Sequence, residues 1–197
     1  SKYIDLMRTI LISGASSGIG LKIAHKQLEE GNRVSAGIRD LESLEGSIID
    51  PRNWPNEQLI LNKYDALDKN SSKNWISNTV KSFGSFDTLI NSAGILSKVP
   101  FLYKDDDLDE IDKTMKINFL AVWELTRLCW ENLSSSKNGR IISIVSMSGK
   151  RSKGDLAAYS CSKFALMSIC QTMRNVGWEK GIRVTTICPS WVNTKMA

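Results

Sequence analysis

The sequence is poor in the residues that mark fibrous, secreted and metal-binding chains. Only 4 of its 197 residues are proline and 13 are glycine, which excludes collagen-like and low-complexity classes. Its four cysteines, at positions 129, 161, 170 and 188, form no CxxC pair, and His25 is the only histidine. A zinc cluster is not readily assembled from these residues, so no metal site is expected. The cysteines are expected to be reduced and mostly buried.

Long hydrophobic runs are also missing. The longest uninterrupted apolar run covers residues 119–123, whereas a helix that spans a membrane needs roughly 18 apolar residues. Residues 1–30 contain no hydrophobic signal core followed by a cleavage site. These two absences predict a soluble, cytoplasmic protein with no membrane contact.

The charge pattern gives little support to a nucleic-acid partner. There are 26 Lys and Arg residues against 21 Asp and Glu residues, a net charge of +5. The acidic residues crowd into positions 105–112, and the basic ones are scattered except for Lys150, Arg151 and Lys153. Because no basic stripe with interleaved aromatics is present, no nucleic-acid binding is expected. The three basic residues are interpreted as a solvated loop rather than as a site for an anionic substrate.

Short β-rich runs alternate with longer segments of helical period, and no internal repeat interrupts them. The predicted strands are Thr9–Ser13, Arg33–Ile38, Gln58–Tyr64, Thr88–Asn91, Arg140–Ser146 and Arg183–Cys188. Runs such as RIISIVS are apolar on both faces, which is typical of a parallel sheet buried between two helical layers. The prediction is an α/β fold: a Rossmann-like, doubly wound parallel sheet with helices on both faces, in three layers. One domain is predicted over residues 1–197.

Two connections are predicted with more specific features. Ile111–Leu133 reads as one long amphipathic helix, and the aspartates before it suit a helix N-terminus better than a metal site. Leu41–Glu57 contains two prolines, each after an Asp or Trp, and is predicted as a short helix followed by a loop.

The first predicted strand runs directly into SGASSGIG, residues 13–20, and then into a helix. Glycines at such a point allow a tight turn and let backbone N–H groups approach a pyrophosphate at the helix N-terminus. The spacing is GxxxGxG rather than the general GxGxxG fingerprint. Taken alone, the loop also fits a strand-to-helix turn that binds no ligand.

Tyr159 and Lys163 are four residues apart in a segment of helical period, so both side chains project from one helix face. An ammonium group beside a phenol favours loss of the phenolic proton, which makes Tyr159 a usable proton donor. The YxxxK spacing is common by chance. In isolation, a surface tyrosine packed on a lysine stem explains it better.

Together, six motifs resemble those of the short-chain dehydrogenase/reductase (SDR) family in order and spacing. They are SGASSGIG, NSAG (residues 91–94), KINFLA with Asn118, IVSMSG with Ser146, YSCSK (residues 159–163) and ICPSWVNT (residues 187–194). The resemblance covers nearly the whole chain. Ser146 lies thirteen residues before Tyr159, the interval at which the family carries its catalytic serine.

The resemblance implies an oxidoreductase that transfers a hydride between a nicotinamide dinucleotide and a small-molecule carbonyl or alcohol substrate. It assigns Tyr159 as the general acid or base. Lys163 is expected to favour ionisation of that phenol and to hydrogen-bond the nicotinamide ribose. Ser146 is expected to hold the carbonyl oxygen beside the phenol, and Asn118 to anchor a water that links Lys163 to solvent. These four residues form the expected catalytic set.

The cofactor contacts implied by the resemblance extend along the chain. They are Gly14, Ser16, Ser17, Gly18, Ile19, Gly20, Arg39, Asp65, Asn91, Ala93, Gly94, Tyr159, Lys163, Pro189, Val192 and Thr194. Asp65 matches the family's adenine contact, and Thr194 with the Val192 backbone is expected to hold the carboxamide. Asn91 is expected to brace the centre of the sheet, and Gly94 to let the cofactor approach.

The end of the second predicted strand bears on the choice of cofactor. An NAD enzyme needs a carboxylate there for the ribose hydroxyls, whereas a 2′-phosphate calls for a cation. Ile38 occupies the usual acidic position and Arg39 follows it, which favours NADP over NAD. The adjacent Asp40 and the lack of a basic residue at Ser17 count against this preference.

Two positions depart from the family pattern. Ser13 stands where threonine is commoner, and its hydroxyl is still expected to bond nearby backbone. Ser190 follows Pro189 where glycine is common, which adds a small side chain beside the nicotinamide. The substrate pocket is expected to be lined by Leu96, Met147, Ser148, Trp191 and residues near Lys153.

Two other functions stay open. A non-catalytic dinucleotide-sensing regulator on the same fold binds cofactor without turnover, although it has no chemical need to keep the four expected catalytic residues. An epimerase or dehydratase of the extended relatives fits less well, because those proteins favour a GxxGxxG spacing and a longer chain.

Assembly and chain length are predicted from the same resemblance. Family members commonly form a homodimer or homotetramer through two helices, and the helix before Arg140 is rich in apolar residues: Trp123, Leu125, Leu128, Cys129, Trp130 and Leu133. Core packing is the alternative explanation for them. In the family a substrate lid and a further strand follow the segment that ends at Ala197. Residues 1–197 are therefore predicted to belong to a longer polypeptide.

Overall fold

A computed structural model describes residues 7–152 and 154–190. Its strands are β1 (Thr9–Ser13), β2 (Arg33–Ile38), β3 (Leu59–Lys63), β4 (Thr88–Asn91), β5 (Arg140–Ile144) and β6 (Arg183–Ile187). Its helices are α1 (Gly18–Glu29), α2 (Lys69–Phe83), α3 (Leu108–Met115), α4 (Ala121–Ser135) and α5 (Ala157–Gly177). The strands form one parallel sheet in the order β3-β2-β1-β4-β5-β6. The predicted doubly wound α/β fold is confirmed.

The side chains of β1 show why helices cover both faces of this sheet. Ile10 and Ile12 pack with Leu28 of α1 in one buried cluster. Leu11, which lies between them, packs with Trp75 of α2 in another. Because successive side chains of a strand point to opposite faces, a strand that is apolar throughout needs a helical layer on each side.

The predicted bounds of β1, β2 and β4 match the structure, whereas three strands are shorter than predicted. β3 loses one residue at each end, β5 ends at Ile144 and β6 ends at Ile187. The apolar pattern continues past β5, but Ser146 has φ 117° and ψ 154°, which no regular strand adopts. The chain leaves the ladder there, and Met147 N donates to Pro189 O at 3.0 Å.

The helix predicted over Ile111–Leu133 is confirmed, but it is longer than predicted and contains one irregular turn. The helical segment begins earlier, at Leu108, and a π-helical turn over Lys116–Leu120 separates α3 from α4. Such turns are often found at functional sites, and Asn118 lies within this one. The aspartates lie at the helix N-terminus as predicted. Asp105–Asp107 form a 3-10 turn, and Asp107 is the N-cap of α3, although its side chain makes no cap hydrogen bond there.

The segment over residues 41–57 also differs from its prediction, because it forms two 3-10 helices. These are Leu41–Leu44 and Pro51–Asn53, and an aspartate caps each of them. The second cap, Asp50, is nearly buried and pairs with Arg52 at 2.6 Å. The Arg52 guanidinium, with backbone N–H groups, holds the pKa of the Asp50 carboxyl well below its usual range.

The apolar face predicted to drive assembly is partly used inside the protein. Leu125, Cys129 and Leu133 are fully buried in the core between α4 and the sheet, whereas Trp123 on the same helix is 48% exposed. Trp130 is partly buried and packs against the same cluster. Core packing therefore explains four of the six residues, and assembly stays a prediction. The expectation of mostly buried thiols holds for Cys129 and Cys170, but Cys161 is exposed.

β6 lies at one edge of the sheet and pairs there with β5. Within residues 7–152 and 154–190, no helix combines the length and the apolar character needed to cross a membrane.

Candidate active site

A cleft of about 420 Å³ lies at the carboxyl ends of the strands. The strand order reverses between β1 and β4, and in open parallel sheets ligands bind at that point. The lining comes from residues 14, 16–19, 37–39, 64–67, 92–96, 113, 117, 144–146, 148, 156, 159, 163, 189 and 190. The position, the size and the mixed lining are those of a small-molecule site.

The loop between β1 and α1 forms the first wall of the cleft. Gly14 has φ 67°, and a Cβ there would lie 2.7 Å from Ala93 N, so only glycine fits this close approach. The Ser13 hydroxyl accepts hydrogen bonds from Ser92 N at 3.1 Å and Ala93 N at 3.2 Å, which confirms the bond to nearby backbone expected for it. Ser17 stands at the N-cap of α1, and its side chain makes no cap hydrogen bond.

This wall fits a phosphate group. The N-terminus of α1 opens onto the cleft through Ser16, Ser17, Gly18 and Ile19, and the first N–H groups of a helix have no partner inside the helix. Those groups, with the helix dipole, favour an anion at this place. Gly20, also predicted as a contact, is instead buried against Gly14 O and does not line the cleft.

Arg39 follows β2 at the second wall. It lines the cleft, is exposed, and forms no ion pair with the described carboxylates. The neighbouring Asp40 is engaged elsewhere, because its carboxylate accepts from Glu42 N at 3.1 Å and caps a 3-10 helix. Ile38 is 2% exposed and packs in the core. The cleft thus receives a cation from this strand end.

Two predicted contacts at β3 and β4 occupy different depths. Asp65 lines the cleft, and one of its carboxylate oxygens accepts from Leu67 N at 2.9 Å. Asn91 lies buried below the cleft, where its Nδ2 donates to Ser143 Oγ at 3.3 Å and joins β4 to β5. Its Oδ1 is buried without a hydrogen-bond partner among the described residues.

Asn118 connects the cleft wall to α5. Its Oδ1 accepts from Ile95 N at 2.8 Å, while its Nδ2 donates to Ile95 O at 2.9 Å and to Ser162 Oγ at 3.1 Å. Ser162 in turn donates to Tyr159 O at 2.7 Å. Both amide hydrogens of Asn118 are therefore used within the protein, so a water can be held only by an acceptor oxygen of this residue.

Tyr159 and Lys163 lie together on the first turns of α5. Val99 O accepts from the N–H groups of Ala157 and Ala158 at 2.9 and 3.4 Å, which fixes the start of this helix. Lys163 Nζ lies 5.6 Å from the centroid of the Tyr159 ring. Both side chains line the cleft and both residues are over 90% buried. Burial lowers the pKa of Lys163 to about 8.

Ser146 reaches the cleft from the turn after β5. Its Oγ accepts from Ser148 N at 3.2 Å, which leaves the hydroxyl hydrogen free to donate to a ligand. The φ of 117° lies in a region that glycine adopts far more easily than serine. A strained residue that carries a hydroxyl into a cleft is a common feature of functional sites.

Gly94 leaves the space that a ligand needs beside these groups. A Cβ at this position would lie 3.2 Å from Asn118 Oδ1 and 3.4 Å from Lys163 Nζ. Any side chain there would therefore occupy the space next to the Lys163 ammonium. With the helix N-terminus and the cation after β2, this space makes the described residues fit a nicotinamide dinucleotide.

The predicted site residues and the residues that line the cleft do not match completely. Val192, Thr194, Trp191 and Lys153 lie outside the described residues. Of the residues predicted for the substrate pocket, Leu96 and Ser148 line the cleft and Met147 does not. Sequence reasoning missed Lys113 and Ile117. Their spacing of four residues on a helix, just before Asn118, was the available signal.

The profile of the family described as "short chain dehydrogenase" matches residues 8–197. The chain belongs to the short-chain dehydrogenase/reductase family. Its site therefore lies in a family of oxidoreductases, and its Rossmann-like sheet is the fold of that family.

Particular SDR proteins show how far the similarity extends. An "Agropine synthesis reductase" of Rhizobium rhizogenes is 37% identical over 188 residues, which are 95% of this chain and 43% of that protein. This chain thus spans less than half of that reductase. A short-chain dehydrogenase structure from Streptomyces avermitilis superposes with a TM-score of 0.88 at 23% identity, covering 96% of this chain and 68% of the other.

A third SDR protein was solved with its cofactor. It is a short-chain dehydrogenase/reductase of unknown function from Caenorhabditis elegans, with a TM-score of 0.85 and 30% identity. The superposition covers 95% of this chain and 70% of that structure.

Proposed function

We propose that this protein transfers a hydride between NADP(H) and a carbonyl or alcohol substrate, with Tyr159 as the general acid and base. The observation that carries the proposal is the buried Tyr159 and Lys163 pair, which lines a cleft at the switch point of the sheet. A nicotinamide dinucleotide, when bound, supplies or accepts the hydride. The protein has to orient the substrate and move one proton.

Proton transfer is the task of Tyr159. In the direction of reduction, its hydroxyl donates a proton to the carbonyl oxygen, and the phenolate left behind lies near the Lys163 ammonium. That charge stabilises the phenolate. Because the pKa of Lys163 is about 8, the lysine is mostly charged at neutral pH and loses this role in alkaline solution.

Substrate orientation is the task of Ser146. The oxygen of its hydroxyl is fixed by Ser148 N, and its hydrogen is available to the substrate carbonyl oxygen. A donor held in place before the reaction lowers the cost of orienting the reacting groups. Asn118 is a positioning residue, because it holds Ile95 on one side and Ser162 of the Tyr159 helix on the other.

NADP is the proposed cofactor because of Arg39. A guanidinium at this strand end pairs well with a 2′-phosphate, whereas the ribose hydroxyls of NAD are normally held by a carboxylate. The nearest candidate carboxylate, Asp40, is committed to its 3-10 helix. Apart from Asp65, the charged residues lining the described cleft are cations: Arg39, Lys113 and Lys163.

The proposal is tested by a turnover screen. The purified full-length protein is mixed with NADPH and a panel of aldehydes, ketones and keto acids, and loss of NADPH absorbance is followed. At least one carbonyl class is expected to be reduced. Tight NADPH binding without reduction of any carbonyl in the panel would favour the non-catalytic regulator instead.

A further inference from the structure

Lys113 is a charged residue of the cleft that was not among the predicted site residues. It lies in the second turn of α3 and lines the cleft. Ile117, four residues later and therefore on the same helix face, is 8% exposed and lines the cleft as well. The next residue, Asn118, is hydrogen-bonded to Ile95 in the segment that follows β4. These contacts fix the helix against the cleft.

The acidic neighbours of Lys113 do not hold it. Asp109 and Glu110 precede it by four and three residues, the spacings at which helical ion pairs normally form. Even so, Lys113 forms no ion pair with either of them or with any other described carboxylate. By contrast, Lys26 does pair with Glu30 at the same four-residue spacing on α1. The Lys113 ammonium therefore remains available to a ligand in the cleft.

We propose that Lys113 binds a phosphate group of the dinucleotide and so supplements Arg39 and the α1 N-terminus. This inference rests on the proposed cofactor. The shared chemistry is a phosphate dianion or diester, which belongs either to the 2′-phosphate or to the diphosphate bridge. A lysine ammonium acts on both as a point charge.

The test compares cofactor affinities without relying on turnover. Lys113→Met keeps the apolar stem and removes the charge, Lys113→Arg keeps the charge, and Lys116→Met is the matched control. Lys116 is an exposed lysine three residues later that does not line the cleft. Dissociation constants for NADPH and NADH are measured by fluorescence titration of the full-length protein, at low and at high salt.

Lys113→Met is expected to weaken NADPH binding about three- to tenfold at low salt, as for loss of one exposed charge-assisted contact. The loss should shrink at high salt, and Lys113→Arg should restore most of the affinity. A loss confined to NADPH identifies the 2′-phosphate, and an equal loss for NADH identifies the diphosphate.

Two results would overturn the inference in distinguishable ways. If Lys113→Met binds NADPH and NADH as tightly as the parent protein and Lys116→Met do, Lys113 has no phosphate contact, while the proposed function stands. If the unmodified protein binds neither NADPH nor NADH, the proposed function fails and the inference fails with it.

Discussion

Lys163 Nζ lies 5.6 Å from the centre of the Tyr159 ring, one helical turn away, in a site where both residues are over 90% buried. Burying an ammonium without a carboxylate partner is costly, and the pKa of Lys163 falls to about 8 as a result. The protein therefore gives up stability to keep a positive charge beside the phenol.

Lys163→Met is expected to stabilise the protein without cofactor while abolishing turnover. At pH 7 the charged lysine is disfavoured in the folded state, and removing it should raise the free energy of unfolding by roughly 1–3 kcal/mol. That gain corresponds to a few degrees in Tm. Thermal unfolding by circular dichroism measures it.

The pH dependence of this gain provides its control. The folded pKa is about 8, below the ordinary value of about 10.4, so the unfolded chain binds more protons between these two values. The stability of the unmodified protein therefore rises with pH over that window, and the advantage of Lys163→Met should shrink. A variant less stable than the parent at pH 7 would contradict the account.

A pair of substitutions at Ser146 separates its hydroxyl from its backbone. Ser146→Ala and Ser146→Gly both remove the donor and should each lower turnover at least about tenfold, by loss of a positioned hydrogen bond. Only glycine relieves the φ of 117°, so Ser146→Gly should be about 1 kcal/mol more stable than Ser146→Ala. Equal Tm values for the two variants would show that the backbone is not strained.

Arg39→Ala is expected to reduce the preference for NADPH over NADH. The guanidinium is exposed and unpaired among the described residues, so its loss should raise the dissociation constant for NADPH about tenfold and leave NADH unchanged. Isothermal titration measures both. An unmodified protein with equal affinity for the two cofactors would rule out the proposed preference.

Asp50→Asn is expected to lower Tm at neutral pH. The pKa of Asp50 is depressed by Arg52 and by backbone N–H groups, so its stabilising effect is complete above the ordinary carboxyl pKa of about 3.9. The effect is lost as pH falls toward the folded pKa. The Tm difference between parent and variant should therefore narrow below about pH 4.

Asp106→Asn is the matched control for Asp50→Asn. Asp106 is exposed, and its carboxylate makes no hydrogen bond or ion pair with the described residues. Its substitution should leave Tm unchanged at every pH. If Asp106→Asn lowers Tm as much as Asp50→Asn does, the contacts of the Asp50 carboxylate do not account for the loss of stability.

The sequence pattern was sufficient to predict the sheet, because parallel strands buried on both faces are apolar throughout and need no tertiary information. It was insufficient to predict the backbone conformations at Ser146 and Asn118. The positive φ of Ser146 and the π turn around Asn118 arise where the chain must leave the ladder and meet Pro189 or Ile95. Those contacts join residues that are distant in sequence, so the local pattern of apolar residues does not predict them.

The charges of the cleft were only partly predictable for a similar reason. Arg39 directly follows a predicted strand, so the parallel topology places it at the carboxyl ends of the strands, where the cleft lies. Lys113 lies in an acidic helical segment, where the simplest expectation is a surface ion pair. In the structure Lys113 instead lines the cleft and forms no ion pair with the described carboxylates.

Comparison of Tyr159→Phe with the parent protein, on a carbonyl substrate found by the screen and with NADPH, tests the central claim most directly. The variant should bind NADPH with nearly the affinity of the parent, because one hydroxyl is removed and the other expected cofactor contacts are kept. Its turnover should fall at least about 100-fold, the loss typical of a missing general acid. A Tyr159→Phe protein that reduces the substrate at the parent rate would contradict the assigned mechanism.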